Sequence, residues 1–134
     1  MPAGHLTLGR DGEDAAAKLL ARLGFRVLER NYRCRLGEVD LICRHGDTLV
    51  FVEVKTRAEG SLAAGTDAVH GRKRSRIVKA AAEYLSEHDS WDRPCRFDVV
   101  SVVRRDGRLE AEHLPDAFQA EFDHGGRGRG WQPW

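Results

Sequence analysis

Residues 38–56 read EVDLICRHGDTLVFVEVKT. Two β-rich runs, EVDLICR (38–44) and LVFVEVKT (49–56), flank the turn residues His45, Gly46, Asp47 and Thr48, which predicts a hairpin. Side chains alternate faces along a strand. Glu53 and Lys55 therefore share a face with Leu49 and Phe51, while Val50, Val52 and Val54 take the other. A short loop centred on Gly46 and Asp47 sets Asp40 across from Glu53, and Glu38 across from Lys55. Apolar residues point both ways (Leu41, Ile42, Leu49, Phe51, Val52), as in a sheet covered on both faces.

Outward from this hairpin the pattern alternates between periods. Upstream, Ala16, Leu19, Leu20 and Leu23 recur at helical spacing, and Gly24 stands where a helix stops, predicting a helix over Gly9–Leu23. Phe25–Arg33 reads as a strand of irregular alternation. Downstream, Arg57–Asp67 is a Gly/Ala/Ser/Thr-rich loop, and Gly71–His88 places Ile77, Ala81, Tyr84 and Leu85 on one helical face. Cys95–Val103 is a β-branched run between Pro94 and a turn at Arg105–Gly107, followed by a shorter strand over Arg108–Leu114. The order is α-β-β-β-α-β-β. This is an α/β fold, with a mixed central sheet of about four to five strands flanked by helices. Residues 1–118 form a single domain, and 119–134, ending in HGGRGRGWQPW, form a flexible Gly/Arg-rich tail.

Composition narrows the function. Twenty-two Lys and Arg against 21 Asp and Glu exclude a histone-like basic binder and an acidic disordered chain, so any charged partner must meet a local patch. Cys34, Cys43 and Cys95 form no CxxC or zinc-finger spacing, which argues against a disulfide framework and a zinc site. There is no apolar run of the ~18–20 residues a membrane span needs, and the start lacks a secretory signal's basic segment and apolar core. The expectation is a cytoplasmic protein with no membrane partner.

Opposed carboxylates at Asp40 and Glu53 repel, increasingly so as burial lowers the dielectric. Two arrangements offset this. Lys55 neutralises the pair, or a divalent cation bridges Asp40 and Glu53, with the backbone carbonyl of Val54 completing an all-oxygen set suited to Mg²⁺ or Mn²⁺. A metal so held orients and acidifies a water for attack on a phosphodiester, with Lys55 assisting. The competing interpretation is a solvated face laced with cross-strand ion pairs; apolar residues on both sides of the strands favour the functional one. Glu13 lies at the edge of the first helix's apolar stripe, where its carboxylate reaches toward the sheet or, with Asp11 and Asp14, complements the helix dipole.

On the second helix Arg72, Arg76 and Lys79 fall at i, i+4 and i+7, with Lys73 and Arg74 alongside, as a phosphate-binding stripe or a solvated surface with Lys79 paired to Glu83. Arg22, Arg26, Arg30, Arg33 and Arg35 make a second basic cluster. Arg57 shares the parity of Lys55 and either holds a phosphate or makes a strand-end ion pair. Asp98, amid apolar neighbours, reads as a buried polar contact, and the six histidines show no ligand spacing.

These residues resemble a known family. GEDAAA from Gly12, RNYRCRLGEVDLICRHGDTLVFVEVKTR (30–57), the K-x-x-R-I run of Lys73–Ile77 and RFDVV (96–100) are similar to the YraN-like family of small bacterial proteins, a branch of the PD-(D/E)xK nuclease superfamily. The resemblance spans about Leu8 to Phe118, with Val39 standing where the superfamily's name has proline. It implies that Asp40 is the first acidic position, that Glu53 and Lys55 form the E-x-K element, and that Glu13 matches the helix glutamate of Holliday-junction-resolvase-like members. The implied activity is Mg²⁺- or Mn²⁺-dependent cleavage of DNA, structured or branched, in repair or recombination. The alternative is a non-catalytic nucleic-acid-binding or assembly module on the same fold. Resolvase-like members often act as dimers, so a homodimer is also implied.

Overall fold

The computed structural model describes residues 4–58 and 71–120. Most of the predicted loop after Arg57, and the tail from residue 121, lie outside the described residues. The elements are α1 (Gly4–Arg22), β1 (Arg26–Cys34), β2 (Gly37–His45), β3 (Thr48–Arg57), α2 (Gly71–Glu87), β4 (Cys95–Arg105) and β5 (Arg108–Phe118). The predicted element order holds. The five strands lie in sequence order across one mixed sheet; β3 and β4 run parallel, and the other neighbours antiparallel.

Helices cover the two faces separately. On one side Ile77, Ala81, Tyr84 and Leu85 of α2 pack on Ile42, Leu49, Phe51, Phe97 and Val99. On the other, Ala16 and Leu20 of α1 pack with Phe25 on Leu41, Val50, Val52, Val54, Val100 and Val102. Burial on both faces explains why β3 and β4 are near-continuous apolar runs. No helix among the described residues is long and apolar enough to cross a membrane.

Boundaries differ from the sequence expectations where local chemistry intervenes. Helix α1 begins at Gly4, so Asp11, Glu13 and Asp14 lie beyond its first turn and are too far along to serve the dipole there. Leu23, expected on the buried stripe, is 47% exposed because the helix has ended and Gly24 (φ 93°) turns the chain back. Strand β1 owes its irregular alternation to a bulge between Val27 and Glu29. Strand β5 runs four residues past the predicted Leu114, because a second irregularity, opposite Asp98, absorbs Pro115 and Asp116.

The β2–β3 hairpin has the predicted register: Leu41 faces Val52, Ile42 Phe51, Cys43 Val50 and His45 Thr48 around Gly46 (φ 63°) and Asp47. The ladder stops at Leu41–Val52, and beyond it β2 stays with β1 but leaves β3. Just there the strand turns over: Val39 packs into the α2-side core and Leu41, two residues on, into the α1-side core. Asn31, between the β1 partners of these two residues, has a left-handed backbone (φ 55°). Nearby, a Cβ on Gly37 would overlap the backbone carbonyl of Arg76, so α2 rests directly on the β2 backbone.

Candidate functional site

Asp40 occupies the turnover of β2. With the ladder ended, the Val54 N–H is free to donate to Asp40 Oδ2 at 2.8 Å, which pins the carboxylate beside β3. The Asp40 carboxyl also lies within electrostatic reach of Glu53, itself only 4% exposed, whose charge acts to raise the Asp40 pKa. The expected cross-strand pairing of Asp40 with Glu53 is not a ladder pair, because β2 leaves β3 at Leu41–Val52; Asp40 instead interacts with Glu53 from the kink in β2. Val54, whose carbonyl was the expected ligand, meets Asp40 through its amide.

Lysines complete the cluster. Lys55, on the same strand face as Glu53, is half-buried; burial and the neighbouring Lys73 ammonium lower its pKa, against the opposing pull of Glu53 and Asp40. Lys73 Nζ lies 2.7 Å from Glu53 Oε2. Burial works against its charge, but the hydrogen bond and charge of Glu53, with Asp40 and Glu38, raise its pKa. Lys73 was expected on the phosphate stripe; it instead turns down onto the carboxylates. The signal was present in the sequence: Lys73 precedes Ile77 by four residues and Ala80 and Ala81 by seven and eight, so it extends the buried face of α2. Glu38, expected across from Lys55, pairs with Arg33 at 3.3 Å because β2 has already left β3.

Glu13 approaches from the opposite layer. Its Oε1 accepts from Asn31 Nδ2 at 3.1 Å and lies 3.8 Å from Arg30, which itself holds Asp14 at 2.6 Å. Burial raises its pKa, as does the charge of Asp40, although Asn31 and Arg30 act the other way. Because Asp40 lies where β2 changes sides, it interacts with Glu13 of α1 and with Glu53 and Lys73 on the other face. A cleft of about 560 Å³ opens beside Glu13, lined by Arg10, Asp14, Arg30, Asn31 and Arg33. No three His, Cys, Asp or Glu side chains among the described residues are grouped closely enough to hold an ion, so Glu13 does not join Asp40 and Glu53 as a third ligand in this arrangement.

The donor set nevertheless suits a hard cation. Mg²⁺ commonly takes one or two carboxylates and fills its remaining positions with water. Two carboxylates lie within electrostatic reach of each other here, with the ammonium groups of Lys55 and Lys73 nearby. Of the other expected residues, Arg72, Arg76 and Lys79 are exposed along α2, and the buried Nε of Arg57 has no hydrogen-bond partner among the described residues.

The Asp40 pKa is pushed up to about 7, by burial first and by Glu53 second, with the Val54 amide and Lys73 opposing. The folded chain therefore holds this proton more tightly than the unfolded chain does. The resulting stabilisation is full below about pH 4, the unfolded value, and is lost as pH rises through about 7. Asp40→Asn keeps an acceptor for Val54 and removes the titration. In chelator, raising pH from 5 to 8 should lower the melting temperature of the native chain more than that of Asp40→Asn; parallel melting curves would refute the assignment.

Comparison with known proteins points one way. The model of the uncharacterised protein family UPF0102 matches residues 12–102. A UPF0102 protein of Nitratidesulfovibrio vulgaris is 49% identical over 132 residues, 98% of each chain. One from Parafrankia is 52% identical, covering 83% of this chain and 95% of its own, and one from Anaeromyxobacter dehalogenans is 46% identical over 88% of both.

Proposed function

This chain belongs to the UPF0102 family, and on that premise we propose that it is a metal-dependent endonuclease that hydrolyses DNA phosphodiester bonds, with a role in repair or recombination. The supporting observation is that Asp40, held by the Val54 amide at the point where β2 leaves β3, interacts electrostatically with the buried Glu53 beside Lys55. Within the PD-(D/E)xK resemblance these three residues are the acidic and E-x-K positions.

In this reading Asp40 and Glu53 hold Mg²⁺ or Mn²⁺, with the Val54 carbonyl as a third protein donor. When bound, the ion supplies a polarised water and neutralises charge at the phosphorus. Lys55, whose pKa is lowered, orients that water and is suited to move its proton. Glu13 acts through water, its carboxylate being coupled to Asp40 from the α1 side. The DNA backbone runs over α2, where Arg72, Arg76 and Lys79 meet phosphates, and Arg57 at the end of β3 provides one more cation.

A second reading is favoured by one observation. Lys73 already neutralises Glu53 at 2.7 Å, as a nucleic-acid-binding or assembly module that had no need of a cation would arrange it. Mn²⁺ titration followed by melting temperature, with cleavage of linear, flapped and four-way DNA, separates the two. An endonuclease should gain stability from Mn²⁺ and cut at least one substrate. DNA binding without either effect would select the module.

A further inference from the structure

Lys73 reaches the carboxylate pair from α2, on the layer of the sheet opposite α1. Its ammonium is 2.7 Å from Glu53 Oε2, and its side chain remains 43% exposed, whereas Glu53 is buried. The charged groups around it are Glu53, Asp40, Glu38 and the ammonium of Lys55. Lys73 therefore occupies part of the volume, and supplies part of the positive charge, that a divalent ion between Asp40 and Glu53 would bring. A metal on the same Glu53 oxygen would lie within contact range of the ammonium, and like charges so placed repel.

We propose that Lys73 is a built-in counter-ion: it covers the carboxylates in the metal-free chain, competes with the divalent cation for them, and on metal binding swings out to meet a substrate phosphate. The proposal rests on the nuclease reading and adds a regulatory step to it. The side chain is long and half-exposed, so it moves without the helix moving. The helix itself is held, since the Arg76 carbonyl sits against Gly37 with no room for a Cβ. Arg72 and Arg76, exposed on the same turns of α2, mark where the released ammonium would join a phosphate-binding row. DNA would then recruit Lys73 as a backbone contact only when the metal is in place.

Calorimetric titration of Mn²⁺ into the native chain, Lys73→Met and Lys73→Gln tests the competition directly. Both variants should bind Mn²⁺ about tenfold tighter, which corresponds to about 1.4 kcal/mol of relieved competition. Unchanged or weaker affinity in both would overturn the proposal while leaving metal binding intact. If neither the native chain nor the variants take up Mn²⁺, the nuclease reading fails and the counter-ion goes with it. The second readout needs no catalysis. The salt dependence of duplex binding should be steeper for the native chain than for Lys73→Met, by about one phosphate contact, in Ca²⁺ but not in chelator. A difference of the same size in chelator would show that Lys73 is free for phosphate without metal, and would also overturn it.

Discussion

Glu53→Gln should lower metal-dependent DNA cleavage by about 10²- to 10⁴-fold and leave the fold standing. The glutamate is buried against Asp40 and Lys73, and its amide analogue keeps the shape but loses the charge that would hold the cation. Metal stabilisation of a transition state contributes several kcal/mol, and each ~1.4 kcal/mol is tenfold in rate. Stability should change by less than about 1 kcal/mol, because two effects oppose. The variant loses the pair with half-exposed Lys73, and pairs of that kind contribute little. It also relieves the repulsion that raises the Asp40 pKa. Initial cleavage rates in Mn²⁺, with circular dichroism melts of the same samples, measure both. A variant cleaving within tenfold of the native rate would move the chemistry elsewhere.

The largest loss of stability is expected from a residue outside the cluster. Asp98 is fully buried on β4, and every oxygen is used: Arg96 donates from Nε at 2.8 Å and from a terminal nitrogen at 2.9 Å, His113 Nε2 lies at 2.7 Å, and the Asp116 amide donates at 2.9 Å. The last two contacts hold the irregularity that carries β5 past Pro115, where Asp116 has a left-handed backbone. Phe25, edge-on to His113 and beneath the Arg96 guanidinium, closes the network. Asp98→Ala leaves an arginine and an amide without partners, and breaking a buried pair from one side costs about 3–5 kcal/mol. For a chain of this length that lowers the melting temperature by roughly 10–20 °C.

Burial alone would raise the Asp98 pKa, but Arg96, Asp116 and His113 outweigh it and hold the carboxyl below its ordinary value. Its stabilisation is thus present above about pH 4 and is lost as pH falls through the lower folded value. Asp98→Ala should lack this acid limb, and a variant melting within about 3 °C of the native chain would show that the network is not structural. Taken with Asp40, whose contribution fades toward pH 7, the metal-free chain should be most stable at mildly acidic pH.

Much of this was legible in the sequence because the patterns involved are local. Helical spacing in Ala16–Leu20 and Ile77–Leu85 marks both helices, and a two-residue turn at Gly46–Asp47 leaves one register for the hairpin, which runs as far as Leu41–Val52, one pair short of Asp40 and Glu53. What escaped depends on departures from period. The turnover of β2 at Asp40, with its left-handed partner Asn31, has no signature in a two-residue alternation, so Glu38 was assigned to Lys55 instead of Arg33. The lengthened β5 was hidden by Pro115, whose disruption is absorbed by Asp98 from a different strand. Lys73 shares its sequence run with the outward arginines, and only its helical face, four residues before Ile77, sets it toward Glu53.

The reversal of β2 has a wider meaning. An ordinary sheet insulates its two sides from each other, because each residue answers to one of them. A backbone that crosses over at a single acid removes that insulation at one point: α1 above and α2 below never touch the same surface, yet both bear on one proton. A change of charge at Glu13 on the upper helix should therefore shift the same carboxyl that Glu53 and Lys73 flank below.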